Sequence, residues 1–421
     1  MRRYFGTDGV RGVFGEGLDA ALAERLGSAF AQWLGGGQVL VGRDTRGSGP
    51  VLEDALARGI AAGGGHAVLG GVLPTGAVAL LAAGAGAVVS ASHNPPEYNG
   101  VKFFAQGGRK LVDEEEEAIE AALERPGPGG GAVERVDGLA GRYAETILER
   151  FGRPLDGLRV GCDCANGALA GIAPGVLERL GAIVTRVGCD PDGTNINVGC
   201  GATDLELLRS VVREQGLDLG LAFDGDGDRL LAVDAAGEEV DGDQIVAILA
   251  LHLGVDLVAV TSMSNHGLHQ LLAERGIRVI TTDVGDRYVL EALRREGGVL
   301  GGEQSGHVIV LDGHTTGDGL AAGLLLCGAL AAQGATLAEA AAVMPRWAQV
   351  KRNLHVSRRT PTPAILEEVA RVNEERAGEA RVLVRPSGTE PVVRVLAEAR
   401  DAGEAESLCA RLIDLVERDL G

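Results

Sequence analysis

A chain of 421 residues is too long for one compact core and, at roughly 150 residues per domain, reads as about three domains. Its 45% hydrophobic and 23% charged residues argue against a disordered or membrane-spanning protein. A formal net charge of −20 speaks against nucleic acid, which needs a basic face, but still allows an anionic small molecule held by a local cluster of arginine, metal and backbone N–H groups.

In chain order, Met1-Arg2-Arg3 runs into a polar, glycine-rich segment, which is not the pattern of a secretory leader. Leu22, Leu26, Phe30 and Leu34 share one helical face ahead of a buried strand at 38–42. Between Gly59 and Pro96 histidine is the only ionisable residue type, yet Pro74 and many glycines interrupt the stretch. That predicts helix–loop–strand packing in an α/β core rather than a membrane span. An acidic helix begins near Asp113, and residues 125–131 form a stiff-then-flexible Pro/Gly break. A helix over Leu139–Phe151 leads into a second unit that closes after the strand Leu230–Asp234 and a turn at Gly237. A third unit runs from Asp241 to about Met344, with strands near Val258, Val279 and Val308. The connector Ser357–Pro361 precedes strands at Val382–Arg385 and Val392–Ala397 and a C-terminal helix. Val41-Gly42-Arg43-Asp44 echoes Val160-Gly161-Cys162-Asp163, either as a trace of duplicated α/β units or as a chance likeness of two strand ends. The six cysteines are scattered without a CxxC pair, so reduced thiols and a cytoplasmic location are expected.

Two segments carry most of the chemistry. In Ser90-Ala91-Ser92-His93-Asn94-Pro95, Ser92 follows an apolar strand and precedes a turn signal. Serine is a weak nucleophile unless activated, but a phosphoserine here would be a donor whose charge a nearby cation such as Lys102 could offset. His93 is placed either to hydrogen-bond that phosphate or to pack. In Asp224-Gly225-Asp226-Gly227-Asp228-Arg229, three carboxylates alternate with glycines after the strand Leu219–Phe223. Oxygen-only ligation suits Mg²⁺. A calcium EF-hand loop fails, because Arg229 stands where glycine is needed and Ala235 where glutamate is needed. A phosphatase of the haloacid-dehalogenase type with Asp224 as nucleophile, and a merely solvated acidic turn, both stay open.

Two further loops would grip a ligand. Arg385-Pro386-Ser387-Gly388-Thr389-Glu390-Pro391, with Arg394 beyond, offers consecutive N–H groups, hydroxyls and bidentate cations for a phosphate, or else a plain hairpin turn. Gly301-Gly302-Glu303-Gln304-Ser305-Gly306-His307 exposes groups suited to sugar hydroxyls, and His307 can titrate near neutrality.

These segments, with Phe5–Gly12 and Val284-Gly285-Asp286-Arg287-Tyr288, stand in an order that resembles the α-D-phosphohexomutase superfamily, most closely its glucosamine branch. The resemblance spans nearly the whole chain and implies three tandem α/β domains with mixed sheets plus a small C-terminal α+β domain of TATA-binding-protein-like topology, around a central cleft. The domains would cover 1–138, 139–240, 241–350 and 351–421. It implies an isomerase interconverting glucosamine 6-phosphate and glucosamine 1-phosphate for UDP-N-acetylglucosamine and peptidoglycan precursors. A phosphomannomutase or phosphoglucomutase is the alternative within the superfamily. Implied cofactors are one Mg²⁺ per active site, phosphorylated Ser92 and glucosamine 1,6-bisphosphate as intermediate and activator. Ser92, Asp224, Asp226 and Asp228 would hold the metal, and Arg11, Lys102 and Arg229 would stabilise transferring charge. Lys102 or His307 would carry the hydroxyl proton. Glu303 and Ser305 would read hydroxyls, while Arg385, Ser387, Gly388, Thr389 and Arg394 would hold the unreacting phosphate. The implied partner is a sugar phosphate, without nucleic acid or membrane, and a homodimer is compatible with it.

Overall fold

Alternating strands and helices build three mixed sheets and one smaller antiparallel sheet in the computed structural model, which describes residues 3–6, 8–386 and 392–421. The chain divides into two units: Met1–Ser262 with Arg278–Ala342, and Met263–Ile277 with Val343–Gly421. No helix among the described residues is long and apolar enough to cross a membrane.

In the larger unit, the first sheet runs Val10–Val13, Tyr98–Ala105, Ala85–Val89, Gly37–Arg43, Gly65–Val72, Ala132–Arg135, with Arg109–Lys110 paired beside Tyr98–Ala105. Its centre is parallel, and Tyr98–Ala105 lies antiparallel to Ala85–Val89. All five residues of Ala85–Val89 are buried, as expected of a strand covered on both faces. The second sheet runs Glu239–Val240, Leu230–Asp234, Leu219–Phe223, Arg159–Asp163, Ile183–Val187. The third runs Arg278–Thr282, Leu257–Thr261, Leu300–Gly302, Val308–Val310. The buried parallel strands Ala85–Val89 and Leu219–Phe223 deliver Ser90–Pro95 and Asp224–Arg229 at their carboxyl ends, where α/β sheets place their ligand loops.

The echo between residues 41–44 and 160–163 has a structural counterpart. Gly37–Arg43 and Arg159–Asp163 both lie inside their sheets, and an aspartate follows or ends each. Asp44 Oδ1 accepts from Arg46 N at 3.0 Å, and Asp163 Oδ1 accepts from Ala165 N at 3.0 Å. A buried carboxylate thus turns the chain in the same way at the first and the second sheet of the larger unit.

The Pro/Gly break at 125–131 proves to be docked. Gly129 N donates to Ala62 O at 2.8 Å and Gly131 N to Ala61 O at 3.1 Å. A Cβ on Gly131 would stand 2.1 Å from Gly65 O and one on Gly127 2.1 Å from Ala62 O, so these two glycines serve close packing. The strand Ala132–Arg135 beyond it joins the first sheet, parallel to Gly65–Val72.

The smaller unit is α+β: strands Ala348–His355, Val392–Ala399 and Ala380–Pro386 form an antiparallel sheet with Val392–Ala399 central. Helices Pro363–Glu375 and Ala402–Leu420 cover it over a core of Ile365, Val372, Val393, Val395, Leu412 and Val416. The sequence reads as uninterrupted from Asp241 to Met344, yet residues 263–277 group with this unit. Asn265 explains why: its side-chain amide pairs both backbone groups of Trp347, donating to O at 3.0 Å and accepting from N at 3.1 Å.

Candidate active site

Ser92 sits 2% exposed in the left-handed region, at φ 52, three residues beyond the strand end at Val89. A lattice of buried polar groups holds it there. Ser92 N donates to Ser90 Oγ at 2.8 Å, and Ser90 Oγ donates to Asp44 Oδ2 at 2.6 Å. Arg46, fully buried, pairs with Asp44 at 2.9 Å and spreads its guanidinium over the carbonyls of Ser92, Asn94, Pro95 and Tyr98. From the loop beyond the strand Ile183–Val187, Asn197 Nδ2 donates to Ser92 O at 2.9 Å and Asn94 O at 3.1 Å.

The Ser92 hydroxyl donates to Asp224 Oδ2 at 2.6 Å, which joins the serine loop to the aspartate loop. That loop is no extended strand end: Gly227 has φ 72 and its N donates to Asp224 O at 3.0 Å, folding one potential ligand atom from each of Asp224, Asp226 and Asp228 within 4.8 Å of the others. Gly225 lets the two loops touch, since a Cβ there would stand 2.7 Å from Ser92 O. Thr75 anchors the loop, donating from Oγ1 to Asp226 Oδ2 at 2.6 Å and from N to Asp226 O at 2.9 Å.

Lys102, on the strand Tyr98–Ala105, reaches Asp226 Oδ2 at 2.8 Å, Asp228 Oδ2 at 3.1 Å and Asp8 Oδ2 at 2.8 Å. Asp8 also takes Arg11 at 2.9 Å and Lys110 at 3.1 Å, and Lys110 pairs in turn with Asp286. His307 lies between Asp286 Oδ2 at 3.0 Å and Asp228 Oδ1 at 3.7 Å. The buried Oδ1 atoms of Asp226 and Asp228 have no hydrogen-bond partner among the described residues. Buried carboxylate oxygens that make no hydrogen bond, beside Asp224, are the donor set a Mg²⁺ ion takes, so the residues fit that cofactor.

Charge states follow from these contacts. Burial opposes a charged His307, but Asp286 and Asp228 outweigh it and push the ring up to about 10. Burial likewise works against charged Lys102, and Asp226, Asp228 and Asp8 more than offset it, so the ammonium is held well above its usual range. His93 goes the other way: burial, then Arg229 and Arg11, bring it down to about 4, leaving a neutral ring with Nδ1 3.2 Å from Ser92 Oγ. Asp224 is raised well above the carboxylate range by burial and by Asp228 and Asp226.

The structure thus gathers Ser92, His93, Arg11, Lys102, Asp224, Asp226, Asp228, Arg229, Glu303 and His307 within the larger unit. Arg229 N donates to Asp224 Oδ1 at 3.2 Å. Glu303 Oε1 accepts from Gly285 N at 3.0 Å, and burial raises its pKa. Ser305 is exposed on the hairpin between Leu300–Gly302 and Val308–Val310, and Leu230 N ties that hairpin to the aspartate loop through Gly306 O at 2.9 Å. Arg385 and Arg394 belong to the smaller unit, directly opposite one another in its sheet. Ser387, Gly388 and Thr389 lie outside the described residues. Sequence reasoning missed Asp8, Asp44, Arg46, Thr75, Lys110, Asn197 and Asp286. Asp8 and Asp286 stand inside quoted motifs, and Lys110 is one of only three lysines, but their partners are distant in the chain.

The chain matches four sequence patterns in order: the phosphoglucomutase/phosphomannomutase α/β/α domains I over residues 2–128, II over 141–237 and III over 241–347, and the C-terminal domain over 335–415. A phosphoglucosamine mutase of Moorella thermoacetica is 49% identical over 437 residues, covering 98% of each chain. The crystal structure of a phosphoglucomutase/phosphomannomutase family protein from Burkholderia thailandensis superposes with a TM-score of 0.85 at 26% identity, covering 99% of this chain and 98% of that one. N-acetylphosphoglucosamine mutase of Aspergillus fumigatus, solved with GlcNAc-6P and magnesium, shares the fold at a TM-score of 0.70 and 18% identity, covering 99% of this chain and 96% of that one. The serine and aspartate loops therefore stand on a shared scaffold whose near-full-length sequence relatives are phosphoglucosamine mutases, and the chain belongs to that branch of the phosphoglucomutase/phosphomannomutase family.

Proposed function

We propose that this isomerase interconverts glucosamine 6-phosphate and glucosamine 1-phosphate by storing a phosphoryl group on Ser92 and passing through the 1,6-bisphosphate. The observation that carries this reading is the Ser92 hydroxyl 2.6 Å from Asp224, inside a buried carboxylate trio that Lys102 flanks. Asp224, Asp226 and Asp228 would hold Mg²⁺ together with a phosphoryl oxygen on Ser92; bound there, the ion supplies charge neutralisation to the transferring group. The magnesium and GlcNAc-6P of the Aspergillus protein support the same assignment.

The chain's own groups do the rest. Lys102, Arg11 and Arg229 place positive charge around the serine loop, where a phosphoryl group in transit is most negative. His307 and Lys102, both held protonated, act as charge stabilisers and proton donors. Neutral His93 is a second acceptor within reach of the Ser92 oxygen, beside Asp224. Glu303 and Ser305 read sugar hydroxyls, and Arg385, Ser387, Gly388, Thr389 and Arg394 take the phosphate that is not reacting. A cytoplasmic enzyme feeding UDP-N-acetylglucosamine synthesis follows from the substrate.

The test is Ser92→Ala, with circular dichroism to show the fold retained. Turnover of glucosamine 6-phosphate should vanish, and peptide mapping of the unsubstituted protein should place its phosphate on Ser92. Phosphate on Asp224 instead would reassign the site to aspartyl-phosphatase chemistry. A higher kcat/KM on mannose or glucose phosphates would move it to the neighbouring branch.

A further inference from the structure

Three of the six cysteines converge where the strands Arg159–Asp163 and Ile183–Val187 end side by side. Cys162 Sγ and Cys164 Sγ are 3.7 Å apart and buried. Cys189 reaches back to them across the neighbouring strand end. Its Sγ lies 3.1 Å from Val187 O, the same carbonyl that accepts from Cys164 N, and 3.7 Å from Cys162 O. Cys189 alone of the six is partly exposed, on the wall of an open pocket of about 520 Å³ shared with Arg186, Asn166 and Asn195. A hydrogen bond from the Cys164 thiol holds the Cys189 thiol below its ordinary range against the pull of burial, and Arg186 adds to the effect. Burial pushes Cys200, the pocket's other cysteine, up to about 12 and leaves it inert.

We propose that Cys189 and Cys164 form a peroxide-responsive thiol–disulfide pair. The Cys189 thiolate attacks one oxygen of hydrogen peroxide, giving a sulfenic acid and hydroxide, and the peroxide takes up the two electrons. The Cys164 thiol then displaces water from the sulfenic acid, its proton leaving with that water, and an S–S bond closes. Cys164 suits the resolving role better than Cys162. The Cys164 N–H extends the parallel pairing one residue beyond Asp163–Val187, placing Cys164 at the end of the neighbouring strand. Cys162 lies within the pairing itself, opposite Arg186.

The pair is linked to the serine loop through Ala165 and Asn197. Ala165, next to Cys164, accepts from Asn197 N at 2.9 Å, and Asn197 holds the carbonyls of Ser92 and Asn94. Ala165 and Asn166 both sit at positive φ, 52 and 50, where backbone has little freedom to absorb a shift. Asp190, next to Cys189, donates from N to Asn166 Oδ1 at 3.0 Å. Drawing Cys189 onto Cys164 therefore pulls on both sides of the turn that positions Asn197.

The test treats the purified full chain with hydrogen peroxide, blocks remaining thiols with iodoacetamide and maps peptides without reduction. A Cys164–Cys189 cross-link should appear, Cys327 and Cys409 should stay free, and turnover should fall by about tenfold and return with dithiothreitol. Cys164→Ser should leave a Cys189 sulfenic acid that dimedone traps, and Cys189→Ser should retain full turnover after peroxide. Cys189 oxidising no faster than the buried Cys327 would overturn the site. A Cys164–Cys189 disulfide that forms without loss of turnover would overturn its coupling to the serine loop, whatever sugar phosphate the enzyme prefers.

Discussion

Every N–H of Arg46 has an acceptor: Nε takes Asp44, one terminal nitrogen takes Pro95 O and Tyr98 O, and the other takes Ser92 O and Asn94 O. The fork geometry sets the curvature of the loop that carries Ser92, a task an ammonium with tetrahedral donors cannot repeat. Arg46→Lys keeps the charge against Asp44 and should still lower kcat by up to about 10²-fold through a displaced Ser92. Arg46→Met leaves Asp44 buried without its cation and should cost about 3–5 kcal/mol. Steady-state kinetics and urea unfolding separate the two effects, and an Arg46→Lys enzyme with unchanged kcat would refute the positioning role. His307 makes a second residue-scale prediction. Its folded pKa of about 10 lies above its unfolded value, so its stabilisation is complete below about pH 6.5 and is lost as pH rises toward 10. In metal-free protein, the stability gap between the unsubstituted chain and His307→Gln should be widest near the acidic end of that window and shrink steadily above it. A gap that grows with pH would mean a neutral ring.

Elements were the most legible level, because buried parallel strands leave uninterrupted apolar runs and their ligand loops follow at once. The strand read at 38–42 is Gly37–Arg43, and the helix read at 139–151 is Leu139–Phe151. Ser92 and the three aspartates could be singled out because hydroxyl and carboxylates stand on contiguous loops. The supporting groups could not: Thr75 meets Asp226 across 151 positions and Lys110 meets Asp286 across 176, and no local periodicity encodes such pairs. The glycines of the aspartate loop show the same limit. Their alternation with the aspartates says nothing of a neighbour, whereas Gly225 marks contact between loops from two sheets, with a would-be Cβ 2.7 Å from both Ser92 O and Ile196 Cδ1. Gly225→Ala should therefore part the serine from the carboxylates. The expected result is a loss of kcat of about 10²-fold with weaker magnesium activation, while thermal stability falls by only ~1–3 kcal/mol. Equal activity with alanine would show that the two loops need not touch.

At the scale of the whole molecule, chain order and structural grouping part company at residues 263–277. The sequence carries no break there, since the strands Leu257–Thr261 and Arg278–Thr282 pair with each other in one sheet of the larger unit. The intervening helix His266–Glu274 nonetheless groups with residues 343–421. What fixes it there is polar and specific: fully buried Asn265 satisfies Trp347 N and Trp347 O, caps its own helix through Gly267 N at 2.9 Å, and His266 N donates to buried Glu398 at 3.2 Å. Asn265→Ala would leave both buried backbone groups of Trp347 without these partners, a cost of about 1–3 kcal/mol. In a unit of this size such a loss should lower the midpoint by roughly 5–15 °C. Calorimetry should resolve it as a downward shift of the smaller unit's transition, with the larger unit's transition in place. A uniform shift of the entire profile would mean that the inserted helix is held by the larger unit after all.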